Sequence, residues 1–335
     1  MRTACLRRAR QWSVVALGLA GMALLACAGA AKAATPDGPP PPAAAGNSPA
    51  ALGYSANGAD TCLMCHRTSA QVMGIFASAH AQRHDPRSPF GPGGLQCEAC
   101  HGPGGAHVKA LGMKPAGIVV FGPHSPTPVA RQNAMCLSCH KRVQHAWLTG
   151  AHAANNVGCA DCHRIHGAVD PVRTQASEAS VCAKCHQTVM AQFRMPYHHP
   201  VPEGTMSCSS CHDPHGSLGP DMLVKSTVNE TCTSCHARMR GPFLWEHQPV
   251  ADDCLDCHSP HGSLVPALLT AQPPILCQQC HDAAGHPSVA YGPQGLPGLP
   301  GSPGVPNPYL LIGGCVNCHS EIHGSNSPSG QDLMR

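Results

Sequence analysis

A five-residue unit, Cys-x-x-Cys-His, occurs ten times between residues 62 and 319, and no other feature constrains the chain as strongly. The units supply Cys62, Cys65 and His66; Cys97, Cys100 and His101; Cys136, Cys139 and His140; Cys159, Cys162 and His163; and Cys182, Cys185 and His186. The other five supply Cys208, Cys211 and His212; Cys232, Cys235 and His236; Cys254, Cys257 and His258; Cys277, Cys280 and His281; and Cys315, Cys318 and His319. Of 22 cysteines, only Cys5 and Cys27 lie outside these units. Two thiols three positions apart reach the two vinyl groups on one edge of a porphyrin as thioethers. The adjacent histidine then lies under the ring and offers Nε2 to the iron, so the unit reads as a c-type haem attachment site. Zinc uses the same residue types but has no reason to place His directly after the second Cys every time. Disulfides would suit an exported chain, yet they need neither the His nor the fixed gap.

Fourteen histidines remain after the ten proximal ones, and they are not scattered. After the first, third, fifth and seventh units a His follows 11–14 residues beyond the proximal one: His80, His152, His198 (with its neighbour His199 as the alternative) and His247. After the ninth the gap is five, to His286. After each even unit a His follows within three to six residues: His107, His166, His215, His261 and His323. The chain thus reads as five dihaem repeats starting at Cys62, Cys136, Cys182, Cys232 and Cys277, the last four 45–50 residues apart. Ten distal candidates match ten irons and leave His84, His124, His145 and one of His198/His199 over. With histidine in surplus, no Met is needed as an axial ligand. Three residues span at most ~10 Å, whereas Cα atoms of two imidazoles on opposite faces of one iron lie roughly 12 Å apart. His166, His215 and His261 therefore serve a haem other than the one beside them, most simply the other member of the pair.

The remaining sequence predicts little regular structure. Only 12 Phe, Trp and Tyr residues occur in 335, against 35 Gly and 34 Pro, so the haems themselves form the core. The expected fold is a multihaem cytochrome c: mostly irregular with short α-helices, little or no β-structure, and an elongated chain of ten covalently bound haems. Short helices are expected over residues 71–80, 141–152 and 187–195 and around Phe243, Leu244, Trp245 and Glu246. Phe76, Trp147, Phe193, Phe243 and Trp245 are expected against porphyrin faces. Residues 1–33 have basic residues, an apolar run and an Ala31-Lys32-Ala33 cleavage site, the layout of a secretory signal peptide. Lipidation at Cys27 and a single membrane anchor are the rival readings of that segment. Residues 34–55 form a Pro/Ala-rich linker, 56–200 and 201–325 two pentahaem halves, and 326–335 a C-terminal tail. Without residues 1–33 the chain has 16 Lys/Arg against 18 Asp/Glu, net −2. No basic surface is left for nucleic acid.

The chain resembles the MtrA/DmsE family of decahaem c-type cytochromes. The resemblance rests on the ten units and on Cys211-His-Asp-Pro-His-Gly216 and Cys257-His-Ser-Pro-His-Gly262. It rests also on Gly241-Pro-Phe-Leu-Trp-Glu-His247, and it covers about residues 60–323. It implies two pentahaem halves meeting near Pro200, bis-His ligation throughout, and residence inside an outer-membrane β-barrel porin. Electrons would pass between periplasmic or inner-membrane c-type cytochromes and the cell exterior, with a surface multihaem cytochrome as a possible further partner. The chain departs from the family pattern in its Gly/Pro-rich insert at 292–308 and in the short gap to His286. The expected role is electron transfer without catalysis, serving metal reduction or iron oxidation. A soluble periplasmic shuttle is the alternative. An oxyanion reductase, which would need an open iron, is disfavoured by the surplus of histidine.

Overall fold

The computed structural model describes residues 53–115, 117–282 and 314–334. The expected signal peptide, Cys27, most of the linker, His286 and the insert at 292–308 lie outside them. No α-helix among the described residues exceeds nine residues, the longest being Val129–Leu137 and Lys141–Thr149. Strands are absent there too; extended backbone meets only in isolated bridges, such as His212 with Leu223 and His258 with Leu269. The fold class is that of a multihaem c-type cytochrome, mostly irregular with short helices.

Gly and Pro are too frequent, and apolar residues too scattered, for helices long enough to bury a continuous stripe. The buried apolar residues correspondingly form no common core. The one cluster among the described residues joins Ala179, Phe193 and Val201, with Val189, Met190 and Met206 packed against it. It straddles Pro200, as does the bridge between Tyr197 and Ser263, so packing is continuous across the expected boundary between halves.

The expected helices form in part. Ala70–Met73 is followed by a 3₁₀ turn over Gly74–Ala77, Lys141–Thr149 by a turn over Ala151–Ala154, and Gln187–Gln192 stands alone. The segment around Trp245 is not helical. Its backbone pairs with Ser325 in both directions at 2.9 Å, which commits groups that a helix would have needed.

Polar side chains hold neighbouring units together. Asn133 Oδ1 accepts from the amide of Cys159 at 2.8 Å while its Nδ2 donates to the Val157 carbonyl. Asn229 repeats the arrangement: Oδ1 accepts from the Cys254 amide at 2.9 Å and Nδ2 donates to the Val250 and Ala251 carbonyls. In the third repeat the buried carboxylate of Glu178 does the same work, accepting from the amide and hydroxyl of Ser209. These clamps bring together the two Cys-x-x-Cys segments of the second, third and fourth repeats. The sulfurs of Cys62 and Cys97, Cys136 and Cys159, and Cys182 and Cys208 lie close together.

Candidate haem sites

Nine pairs of imidazoles face one another with ring centres 5.9–6.3 Å apart. Each pair joins one histidine of a Cys-x-x-Cys-His unit to one outside the units. His80 faces His140, His152 faces His186, His199 faces His236, and His247 faces His281. His166 faces His101, His215 faces His163, His261 faces His212, and His323 faces His258. His66 faces His107. His84, His124 and His145 stand outside these pairs, and the predicted counterpart His286 lies outside the described residues.

The pairing follows a rule that spacing did not disclose. A distal candidate after an odd unit faces the next odd unit, and one after an even unit faces the preceding even unit. Only His107 departs, turning to the first unit. His166, His215 and His261 thus face a unit two back, not the other member of their own pair as the simplest reading supposed. Two pairs, His163 with His215 and His199 with His236, join residues on opposite sides of Pro200.

One predicted residue is corrected. His198 is turned away from the pairs, its Nδ1 donating to the Met195 carbonyl at 2.6 Å and its Nε2 meeting Glu203 at 3.1 Å. Its neighbour His199 occupies the position opposite His236. Consecutive residues in extended backbone point in opposite directions, and the Pro260 carbonyl, 2.7 Å from His199 Nδ1, selects the second of the two.

Hydrogen bonds orient the rings through Nδ1 and leave Nε2 for the facing partner. His101 Nδ1 donates to Val119, His212 to Asp221, His258 to Ala267 and His319 to Asp332, each to a main-chain carbonyl at 2.6–2.9 Å. The Asp221 and Ala267 carbonyls are presented by backbone in the left-handed region, with φ of 50° and 58°. That conformation costs a non-glycine residue about 1–2 kcal/mol. Among the other rings, His152 Nδ1 donates to Pro214 and His199 Nδ1 to Pro260, the residues just before His215 and His261. The buried His247 Nδ1 faces the Ile322 carbonyl, just before His323, without close hydrogen-bond geometry. Two forward-reaching rings, His152 and His199, are therefore held by the loops that carry backward-reaching ones. Glycines let the loops seat: a Cβ on Gly216, where φ is +115°, would overlap the Ala146 carbonyl. Trp147 and Phe193, both buried, pack on the rings of His215 and His261.

Burial lowers the pKa of His80, His101, His215, His247, His261 and His323, favouring the neutral imidazole that a metal requires. With metal–nitrogen bonds of about 2 Å and ring centres about 1.2 Å behind each nitrogen, two imidazoles trans to one metal sit roughly 6.4 Å apart. The observed pairs match that span. The donors also come in twos: among the described residues no three His, Cys, Asp or Glu converge on one point. A metal held this way needs its remaining ligands from elsewhere, and a porphyrin supplies four.

The cysteines order the sites. Beyond the three thiol pairs already described, Cys232 lies beside Cys254 and Cys277 beside Cys315. The second cysteines join the repeats: Cys100 with Cys139, Cys162 with Cys185, Cys211 with Cys235 and Cys257 with Cys280. Each unit thereby lies near the next in chain order, alternately through first and second cysteines.

Comparison with known proteins agrees with this chemistry. The multiheme cytochrome MtrA of Shewanella baltica is 48% identical over 284 residues, which cover 84% of this chain and 83% of that protein. The chain belongs to the MtrA family of multihaem c-type cytochromes. Its haems are covalently attached, and like other members it is an electron-transfer protein and not an enzyme. Family models for a doubled CXXCH motif match residues 198–241 and 247–286. A model for NrfB-like c-type cytochromes matches 97–179, and one for cytochrome c554 and c-prime matches 46–102. The C-type polyheme cytochrome OmcB of Geobacter sulfurreducens is 26% identical over 252 residues, covering 67% of this chain but only 30% of OmcB. The cytochrome c-type protein NrfB of Escherichia coli is 30% identical over 132 residues, 37% of this chain and 63% of NrfB.

Proposed function

We propose that the protein holds ten bis-histidine c-type haems in sequence order and conducts electrons along them across the outer membrane. The nine imidazole pairs spaced for a trans bis-His iron are the observation that carries this reading. The ring pairs support this assignment of the residues that would hold each iron: His140 with His80, His186 with His152, His236 with His199, His281 with His247, and so on through the set. At one end of the chain His107 turns from the second unit to the first haem. By the same symmetry His286, outside the described residues, would be the second ligand of the tenth haem together with His319.

Each haem when bound accepts or gives up one electron at its iron. The protein's part is to orient axial imidazoles, on both sides at His101 with His166 and His212 with His261, so that little rearranges when the charge on the iron changes. Adjacent cysteines in successive units keep the thioether edges of successive macrocycles close, which favours fast tunnelling from first to tenth. The two pentahaem halves, 56–200 and 201–325, then act as one track, because axial pairs span their boundary.

The setting follows from the family. Exported through residues 1–33, the chain would sit inside an outer-membrane β-barrel porin. It would take electrons from or pass them to periplasmic c-type cytochromes, and exchange them outside with a surface multihaem cytochrome or an extracellular acceptor or donor. Ten macrocycles each about 10 Å across exceed a hydrocarbon core of ~30 Å. No helix of the described residues is long and apolar enough to cross a membrane. A barrel would satisfy its own backbone hydrogen bonds in lipid and could serve as the sheath. The test is mild-detergent extraction of the native outer membrane with this chain as bait. A β-barrel recovered in fixed stoichiometry supports the conduit; recovery of the chain alone from the periplasmic fraction overturns it in favour of a shuttle.

A further inference from the structure

Five proximal histidines belong to even-numbered units, and each is oriented by one bond from Nδ1. Where four of them donate to main-chain carbonyls, His163 donates to a carboxylate: Asp170 Oδ2 lies 2.7 Å from its Nδ1. Asp170 is mostly buried, with 16% of its side chain exposed, and its other oxygen accepts from the Arg164 amide at 3.0 Å. The ring opposite also faces a carboxylate, since Asp213 Oδ1 lies 3.5 Å from His215 Nδ1 while accepting from the His215 amide. The corresponding loop two units later has Ser259 in place of Asp213, and His261 Nδ1 there meets the neutral Gln192 Oε1 at 3.2 Å. Among the described residues this is the one imidazole pair with a carboxylate at both outer nitrogens.

We infer that Asp170, aided by Asp213, tunes the fourth haem to a more negative potential than its even-numbered neighbours. The inference rests on the bis-His reading above. A carboxylate accepting from the outer nitrogen of an axial imidazole pulls the proton toward itself and makes the ring a stronger donor to the iron. The ferric state gains more from that donation than the ferrous state, so the potential falls. Asp170 touches neither iron nor porphyrin and acts through His163, which makes it a positioning residue. The fourth haem becomes a raised step among the even-numbered sites: on partial reduction it stays oxidised while the second and sixth fill.

The test is a spectroelectrochemical titration of the intact holoprotein and its Asp170→Asn variant, with low-temperature EPR on both. Asn keeps an acceptor for Nδ1 but removes the charge. One haem in ten should move to higher potential, and its low-spin g-spread should widen as imidazolate character is lost. Rings 4° from parallel at this site favour a rhombic signal, apart from those of near-perpendicular pairs such as His101 and His166 at 86°. Asp213→Asn, which leaves the Arg164 turn intact, should shift the same haem by less in the same direction. Asp221→Asn is the control: its main-chain carbonyl, not its side chain, meets His212, so it should leave the titration unchanged. Unmoved titrations for both Asp170→Asn and Asp213→Asn, with ten low-spin haems in every protein, overturn the inference alone. High-spin iron in the unsubstituted protein overturns the ligand reading and the inference together.

Discussion

Replacing His199 by alanine should open one haem iron, and only one. His199 lies 6.3 Å, ring centre to ring centre, from His236 and is locked by a 2.7 Å bond to the Pro260 carbonyl. The nearest substitute is His198, but its two nitrogens are already engaged by Met195 and Glu203, and its ring leaves the backbone on the other side. To ligate, it would have to give up both bonds and turn the local chain over. The variant should therefore hold the seventh haem by its thioethers and His236 alone. Ten attachment units set the size of the effect: about a tenth of the ferric haem becomes high-spin, and the reduced protein binds one carbon monoxide per chain. His198→Ala should keep all haems low-spin and bind none. Quantitative EPR on the oxidised proteins and carbon monoxide titration on the reduced ones separate the two variants. An all-low-spin His199→Ala protein, or a high-spin His198→Ala protein, would refute the assignment of ligands by ring position.

Two further substitutions test the packing that aligns the sites. Asn229→Ala removes the clamp on the Cys254 amide and on the Val250 and Ala251 carbonyls, and should cost about 2 kcal/mol in guanidinium unfolding followed at the haem bands. A loss near zero would mean that the haems alone hold the two units together. Gly216→Ala should cost roughly 3 kcal/mol and disturb ligation at His215, because the new Cβ meets the Ala146 carbonyl at a φ unfavourable to side chains. Gly93→Ala, also at positive φ but facing open space, should cost only about 1 kcal/mol, and equal effects at the two glycines would count against loop docking as the cause.

What could be read in the chain and what could not divides by range. The attachment units are local: two thiols and a histidine within five residues are matched to one edge of one macrocycle, so no tertiary information is needed to name them. Shortage of apolar side chains and abundance of Gly and Pro likewise decide that no conventional core forms, whatever the chain's path. Spacing also singled out a second group of histidines. It could not say which ring each would face, because partners such as His163 and His215 or His80 and His140 are brought together only by the path of the chain between them. Sequence proximity favoured partners within a repeat, whereas Gly216 and Gly262 seat their loops on helices of the preceding repeat and carry the rings to an earlier unit. The choice of His199 over His198 turned on one carbonyl, that of Pro260, 61 residues away. The Asp170 bond has no sequence signature for a related reason: a lone aspartate seven residues past a ligand forms no pattern, and only the turn that folds it back onto His163 gives its charge an electronic consequence. Covalent chemistry is written in short spacing, while ligand exchange between repeats and the tuning of single haems depend on where distant backbone groups come to rest.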